Sequence, residues 1–506
     1  MNRRHFLKST GLFGLGLSSF NAFGVNTTSS RFSRSRLDDL GLEYTSISKD
    51  KAPQIIYIFL YGGPSELAGN LTNIGDIMAN SQNAYPSQFS PDNGNTIVTP
   101  NYFWQGAGGE IMEELVKENK MSVYRTLNRV VDDSKAHGLS VTQNLIGNID
   151  MTLPGIASNL AHIIASNNPF ANDKPLEELL FPFVSFEGET SIFNISDADV
   201  PLSLKPVSLD SNLQNPYTRS NHDRVPNGST NDVALEALAK QAGNQFSRFP
   251  KLVEAFDKRQ ELSEKIGSYL SSSAIDASIE AYNNSLAEGE ETISYPDNNI
   301  GRRLKAAVSL ALLNPETMFI NLGSGGLGGW DDHSEALEGD QYPGRIQNLM
   351  RAVKAATRHI ELASLNPDDE NYEHRANADN IIIKIHGEFG RNVNLNNSLG
   401  WDHGNNQNLY TIGGKNIRGE AALGRIVGKT KRIGKTQENR QFTSPADDSY
   451  QFEPYALAAS IYSYFGVTNP EVLTRYTDSN GTIHNFSPID ESQEGETIAE
   501  WNPPEE

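Results

Sequence analysis

The sequence predicts an α/β protein built on a mostly parallel sheet with helices on both faces. Two observations carry this expectation. Short apolar, β-branched runs alternate with longer segments of helical spacing, and no internal repeat is visible. Polar clusters follow directly after the apolar runs, where sheets of this kind gather their functional residues beyond the strand ends.

The chain begins Met1-Asn2-Arg3-Arg4-His5-Phe6-Leu7-Lys8, continues through a mildly apolar run to Phe20, and reaches Ala22-Phe23-Gly24. That is the three-part plan of a secretory signal, and the paired arginines before Phe-Leu-Lys narrow it to the twin-arginine route. The expectation is a signal over 1–24, recognised by the export machinery, with the rest of the chain periplasmic or secreted. The apolar run falls short of the about 20 residues that a spanning helix needs, and no other segment reads as transmembrane.

The 506 residues carry a formal charge of −21 and contain no cysteine. Removal of 1–24 takes away Arg3, Arg4 and Lys8 and no acid, so the remainder is more acidic still. Such a surface repels phosphate backbones and excludes nucleic acid as a partner. Without cysteine there are no disulfides, thiolate metal sites, iron–sulfur clusters or thiol nucleophiles. A metal here would rest on Asp, Glu, His, Asn and water.

Residues 25–50, rich in Ser, Thr, Arg and Asp, read as a tether or irregular lead-in. Gln54 to Leu60 is a continuous apolar run stopped by Gly62-Gly63-Pro64, as in a central parallel strand. A helix over Glu110–Lys120, a strand over Met121–Arg125 and a strand over Phe181–Phe186 follow. The stretch 233–288 has helical spacing and reads as a helical insertion. Helices over Asn298–Asn314, Arg345–Leu365 and Pro454–Phe465 and strands over Met318–Leu322 and Asn380–Ile385 complete a domain over 51–470. The acidic tail, 471–506, reads as loose from Ser487 onward.

Five clusters carry candidate chemistry. Trp330-Asp331-Asp332-His333 offers carboxylates and an imidazole to a hard or borderline divalent metal. It reads equally well as a loop in which Asp331 caps a helix and His333 is surface polar. In His386-Gly387-Glu388-Phe389-Gly390-Arg391, Arg391 either pairs with Glu388, the favoured reading, or holds an anionic substrate. Gly400-Trp401-Asp402-His403-Gly404 presents an Asp–His pair of ligand type, and Asp132-Asp133-Ser134-Lys135-Ala136-His137 reads as a turn that starts a helix. Ser65, after Gly62-Gly63-Pro64, is a nucleophile only where a base or metal activates it.

Taken in order, these clusters resemble the exported domain-of-unknown-function family 1501, which is sulfatase-like and belongs to the alkaline-phosphatase-like superfamily. The resemblance runs from about Gln54 to about Val467. Gly62 and Gly63 match its Gly-Gly after the first strand, and His137 loosely matches its His-containing stretch after the second. Gly329, Trp330, Asp331 and His333 match Gly-aromatic-Asp-x-His. Glu388, Phe389, Gly390 and Arg391 match Ser-Glu-Phe-Gly-Arg, while Asp402, His403 and Gly404 match Asp-His-Gly.

The resemblance implies a three-layer α/β/α body with a metal-centred site at the strand ends. It implies a ligand set of Asp331, His333 and His403, and a second set of Glu388 with Asp402 or Asp332, holding zinc, manganese or calcium. It implies hydrolysis of a small-molecule or glycan ester, phosphate or sulfate, with Ser65, His137 and Arg391 as catalytic candidates. Three features depart from the pattern. Gly62-Gly63-Pro64 stands where related enzymes carry an Asp ligand, Gly387 stands for the Ser, and no cysteine is available as a formylglycine precursor. These departures favour the alternative of a metal- or glycan-binding protein without hydrolysis. A third reading is an assembly protein whose clusters are ion pairs alone.

Overall fold

The computed structural model describes residues 40–493 other than 86–96, 195–201, 210–240, 242–260, 324–328, 365–377, 434–441 and a few shorter stretches. The signal expected over 1–24 and most of the helical stretch 233–271 lie outside the described residues.

The chain enters its sheet at β1, Gln54–Leu60, every residue of which is buried. There follow α1 (Gly109–Lys117), β2 (Met121–Asn128), α2 (His137–Ile146), α3 (Ile156–Ser166), β3 (Phe183–Ser185) and β4 (Val207–Ser208). Next come α4 (Ser272–Asn284), α5 (Asn299–Leu313), β5 (Phe319–Gly323), α6 (Tyr342–Ser364), β6 (Ile381–Gly387), β7 (Gly390–Leu395), β8 (Trp401–Gly404) and β9 (Asn406–Gly413). There follow β10 (Ile426–Val427), a hairpin of β11 (Thr430–Ile433) and β12 (Phe442–Pro445), and α7 (Tyr455–Tyr464). The described chain closes with a short helix over Glu471–Thr474 and an antiparallel pair of Tyr476–Thr477 with Ile483–His484.

Eight strands form one sheet in the order β10-β2-β9-β6-β1-β5-β3-β4. β1 is parallel to both neighbours, pairing Ile56 with Ile320 on β5 and with Ile383 on β6. β9 alone runs against its neighbours, antiparallel to β2 and β6. The sheet is therefore mixed but mostly parallel, flanked by helices. Because side chains alternate along a strand, Ile56, Ile58 and Leu60 pack with α5 and α6, whereas Ile55, Tyr57 and Phe59 pack with α3 and α7. Burial on both faces explains why this strand is continuously apolar. No helix among the described residues is long and apolar enough to cross a membrane.

Several boundaries move for physical reasons. The strand expected over Met121–Arg125 runs on to Asn128, with a bulge between Tyr124 and Leu127 where its pairing with β9 shifts. The run Phe181–Phe186 shrinks to three strand residues because Phe181 is left-handed at φ 49° and Pro182 has no N–H to give. In the stretch 233–288 the described helix is α4.

The tail is not loose as far as it is described. Ile489 is buried, and Glu491 pairs with Lys384 at 2.7 Å and with Arg418 at 3.0 Å, both cations fully buried. The lead-in is likewise held, since Thr45 N–H bonds the Gly466 carbonyl at 2.7 Å.

His386 belongs to the core. Its Nε2 accepts the Tyr57 hydroxyl at 2.6 Å and its Nδ1–H bonds the Gly387 carbonyl at 2.9 Å. Burial pushes this imidazole from 6.5 down to about 4. The unfolded chain therefore binds the extra proton between pH 6.5 and about 4. The stability tied to a neutral His386 is complete above that window and is lost as pH falls through it. We expect the stability gap between the parent and a His386→Gln variant, measured by urea unfolding, to narrow by up to about 3 kcal/mol from pH 7 to pH 4. A gap that stays constant with pH contradicts a neutral, buried His386.

Candidate metal centre

Three loops meet at the carboxyl ends of β1, β5 and β6. They meet closely because Gly62 and Gly63 have positive φ and no side chains. A Cβ on Gly62 would lie 2.5 Å from the Asp331 nitrogen, and one on Gly63 would lie 2.6 Å from the Phe389 ring. The backbone itself is thus brought against the ligand-bearing loop, as glycine allows.

Arg391, near the start of β7, fills the space between these loops, and its side chain is wholly buried. Its Nε donates to the Gly63 carbonyl at 2.7 Å, Nη1 to Trp401 at 3.1 Å, and Nη2 to Trp330 at 3.3 Å and to Gly62. Nη2 also meets Asp331 Oδ1 at 2.5 Å, and Nη1 meets His333 Nε2 at 3.2 Å. A guanidinium has five N–H donors, so these acceptors leave none for an anionic substrate.

The Glu388–Arg391 ion pair favoured by the sequence is not formed. Arg391 pairs with Asp331, and Glu388 bonds His137 Nδ1.

Four side chains converge beside Arg391. His137, Asp331, His333 and His403 each offer one ligand atom, and these atoms lie within 4.8 Å of one another. His137 is the first residue of α2, so its cluster does start a helix, but the imidazole also reaches the site. Asp331 and His333 lie in the loop after β5, and His403 is on β8. Asp331 Oδ1 is 3.1 Å from His333 Nε2, 3.5 Å from His137 Nε2 and 3.8 Å from His403 Nε2. The Nε2 atoms of His333 and His403 are 2.9 Å apart.

What lies behind each ring fixes its tautomer. His403 Nδ1 bonds the Lys135 carbonyl at 2.8 Å, His333 Nδ1 faces Asp402 Oδ1 at 3.3 Å, and His137 Nδ1 bonds Glu388. The Lys135 carbonyl and the Glu388 carboxylate only accept, so in neutral His403 and His137 the proton is on Nδ1 and the Nε2 lone pair points into the cluster. His333 Nε2 accepts from Arg391 Nη1, which puts the proton of that neutral ring on Nδ1 as well. Arg391 already donates to the His333 Nε2 and to Asp331, while the Nε2 atoms of His137 and His403 face the same carboxylate oxygen, so the grouping is one of acceptors that a cation complements.

Charge follows the same layout. Burial, then Arg391, His137 and His333, push His403 down to about 4, so it is neutral at pH 7. Burial works to raise the Asp331 carboxyl, but bonding to Arg391, with His333 and His137 nearby, holds it below the usual range. Burial raises Glu388 against the opposing pull of His137. Glu388 Oε1 also accepts the Gly62 N–H at 3.1 Å, while its buried Oε2 has no hydrogen-bond partner among the described residues.

Of the residues expected as a second ligand set, Glu388 and Asp402 stand behind histidines. Asp332 is buried against Arg345. Ser65 is buried too: its hydroxyl accepts the Leu67 N–H at 3.3 Å, and its carbonyl accepts the Tyr342 hydroxyl at 2.5 Å. Neither bond reaches the cluster. The Lys135 carbonyl has no counterpart in the sequence reading, because a backbone acceptor leaves no mark on residue type.

A family model described as a protein of unknown function, DUF1501, matches residues 52–447, and the chain belongs to that family. No curated protein matches the chain.

Removing the Arg391 side chain orphans a ring of buried carbonyls and one carboxylate. We expect Arg391→Ala to cost about 3–5 kcal/mol in urea unfolding, and Arg391→Lys to recover part of the loss, because Lys supplies the charge without the fork. A cost below about 1 kcal/mol for Arg391→Ala would place the guanidinium among exposed ion pairs of little consequence.

Proposed function

We propose that this member of the DUF1501 family is an exported metal-dependent hydrolase of phosphate or sulfate esters on a three-layer, alkaline-phosphatase-like scaffold. The observation that carries the metal is the convergence of three oriented Nε2 atoms on Asp331. Adjacent ligand atoms of a tetrahedral zinc site are about 3.3 Å apart, from bond lengths of about 2.0–2.1 Å. The separations of 2.9, 3.1, 3.5 and 3.8 Å bracket that edge. Three imidazoles and one carboxylate suit zinc first and accept manganese. Calcium, which takes six or more oxygens, does not fit a set rich in nitrogen.

The resemblance to sulfatase-like enzymes supports the ester substrate, and the Arg3-Arg4 signal supports export. Asp331, His333 and His403 form the ligand set. A catalytic site keeps one position open, which leaves His137 for proton transfer. A divalent metal at this point supplies Lewis-acid polarisation of an ester oxygen and an acidified water. His137 Nε2 faces the same point, fixed at Nδ1 by Glu388, so it is placed to take a proton from the attacking group and return it to the leaving oxygen. Buried Glu388 stabilises the imidazolium formed on the way. Arg391 orients Asp331 rather than the substrate.

The four donors within 4.8 Å favour a second reading, in which His137 is a fourth ligand and the centre binds metal without hydrolysis. His137→Ala separates the two. With zinc or manganese supplied, the hydrolase reading expects turnover of 4-nitrophenyl phosphate or sulfate by the parent. It expects a loss of about 100- to 10,000-fold in kcat for the variant, with the metal retained. Loss of the metal in the variant, or no turnover by the parent above a His403→Ala control, supports the binding reading.

A further inference from the structure

We infer that Asn396 is the positioning residue that sets metal affinity at this centre by fixing the loop of one ligand against the strand of another. The inference rests on the metal reading above. Asn396 opens the turn between β7 and β8, and its amide bonds backbone groups and Asp402 rather than the four ligand side chains. Its Oδ1 accepts the N–H groups of Ser398 at 2.9 Å and Gly400 at 3.1 Å. Its Nδ2 donates to the His333 carbonyl at 3.0 Å and reaches Asp402 Oδ1 at 3.5 Å. Two donors on one side and two acceptors on the other leave one orientation for the amide.

That single group connects three parts of the centre. It holds the backbone of His333, it holds the carboxylate that orients the His333 ring, and it shapes the turn leading to His403. The turn is pressed hard against the ligand loop. Trp401 N–H bonds the Asp332 carbonyl at 2.8 Å, Glu335 N–H bonds Ser398 at 2.8 Å, and Ala336 N–H bonds Leu399 at 3.0 Å. A Cβ on Gly400 would lie 2.1 Å from the His333 carbonyl carbon. Leu399 adopts a left-handed φ of 59° although it is neither Gly nor Asn. Such a conformation persists where surrounding contacts over-determine it, and the Asn396 amide supplies two of them, at the flanking Ser398 and Gly400 N–H groups.

A hairpin cap alone would affect folding and leave the metal untouched. A positioning residue shifts the affinity of the folded protein. The zinc dissociation constant of the full chain is measured by competition with a chromophoric chelator for the parent, Asn396→Ala and Asn396→Asp. The Asp variant keeps the acceptor for Ser398 and Gly400, loses the donor to His333 and sets a carboxylate against Asp402. It therefore tests positioning even where the Ala variant fails to fold. We expect both folded variants to bind zinc about 10- to 100-fold more weakly, the range seen when groups behind metal ligands are removed. Asn396→Asp binding within about threefold of the parent would show a turn cap only and overturn the inference. A parent that binds no zinc would instead overturn the metal reading, and this role with it.

Discussion

The buried guanidinium of Arg391 is the constraint on which the centre depends. It gathers the carbonyls of Gly62, Gly63, Trp330 and Trp401, which come from three separate parts of the chain, and closes on Asp331. The Gly62, Gly63 and Trp330 carbonyls lie in loops beyond the ends of β1 and β5, and Trp401 opens β8, so without Arg391 each carbonyl becomes an orphan that has lost its guanidinium donor. The cost of such orphans is larger than the gain from a satisfied bond. Arg391 thus makes an otherwise poor arrangement, four chain segments meeting at one point, the stable one.

The chemistry follows from what the meeting leaves pointing outward. With its backs tied to Lys135, Asp402 and Glu388, the histidine trio presents lone pairs on a common side. Glu388 lies deeper than the ligands: its side chain is 1% exposed, while Asp331 is 47% exposed. Rigid groups below and accessible donors above are the usual layout of a metal site whose ligands are oriented by a surrounding shell. The same layout gives His137 a fixed tautomer and a buried counter-charge, which proton transfer needs.

Much of this was legible in the sequence, for identifiable reasons. β1, β5 and β6 are buried on both faces, and burial of that kind forces an unbroken apolar run. β9 was not legible, although it lies inside the sheet. It opens Asn406-Gln407-Asn408, and those amides are buried because Asn406 bonds the Arg125 carbonyl and Glu66, while Asn408 bonds the Glu66 carbonyl. Polar residues satisfied by distant partners carry no strand signature. In the centre, Asp331, His333 and His403 stood out through motif order. Glu388 and Asp402 stood out as well, but as ligands. Only three-dimensional position places them behind the rings, since a carboxylate beside a histidine in sequence says nothing about which nitrogen it faces. Lys135 and Asn396 act through backbone contacts, which single-sequence reading does not see.

The central claim is that three Nε2 lone pairs and one carboxylate form a cation site. Elemental analysis of the folded full chain after equilibration with zinc and removal of excess, beside an Asp331→Ala/His403→Ala double variant, tests it most directly. The account predicts one zinc per parent chain and none held by the double variant. Parent and variant alike without zinc, both folded, would contradict it and leave the cluster as a network of hydrogen bonds around Arg391.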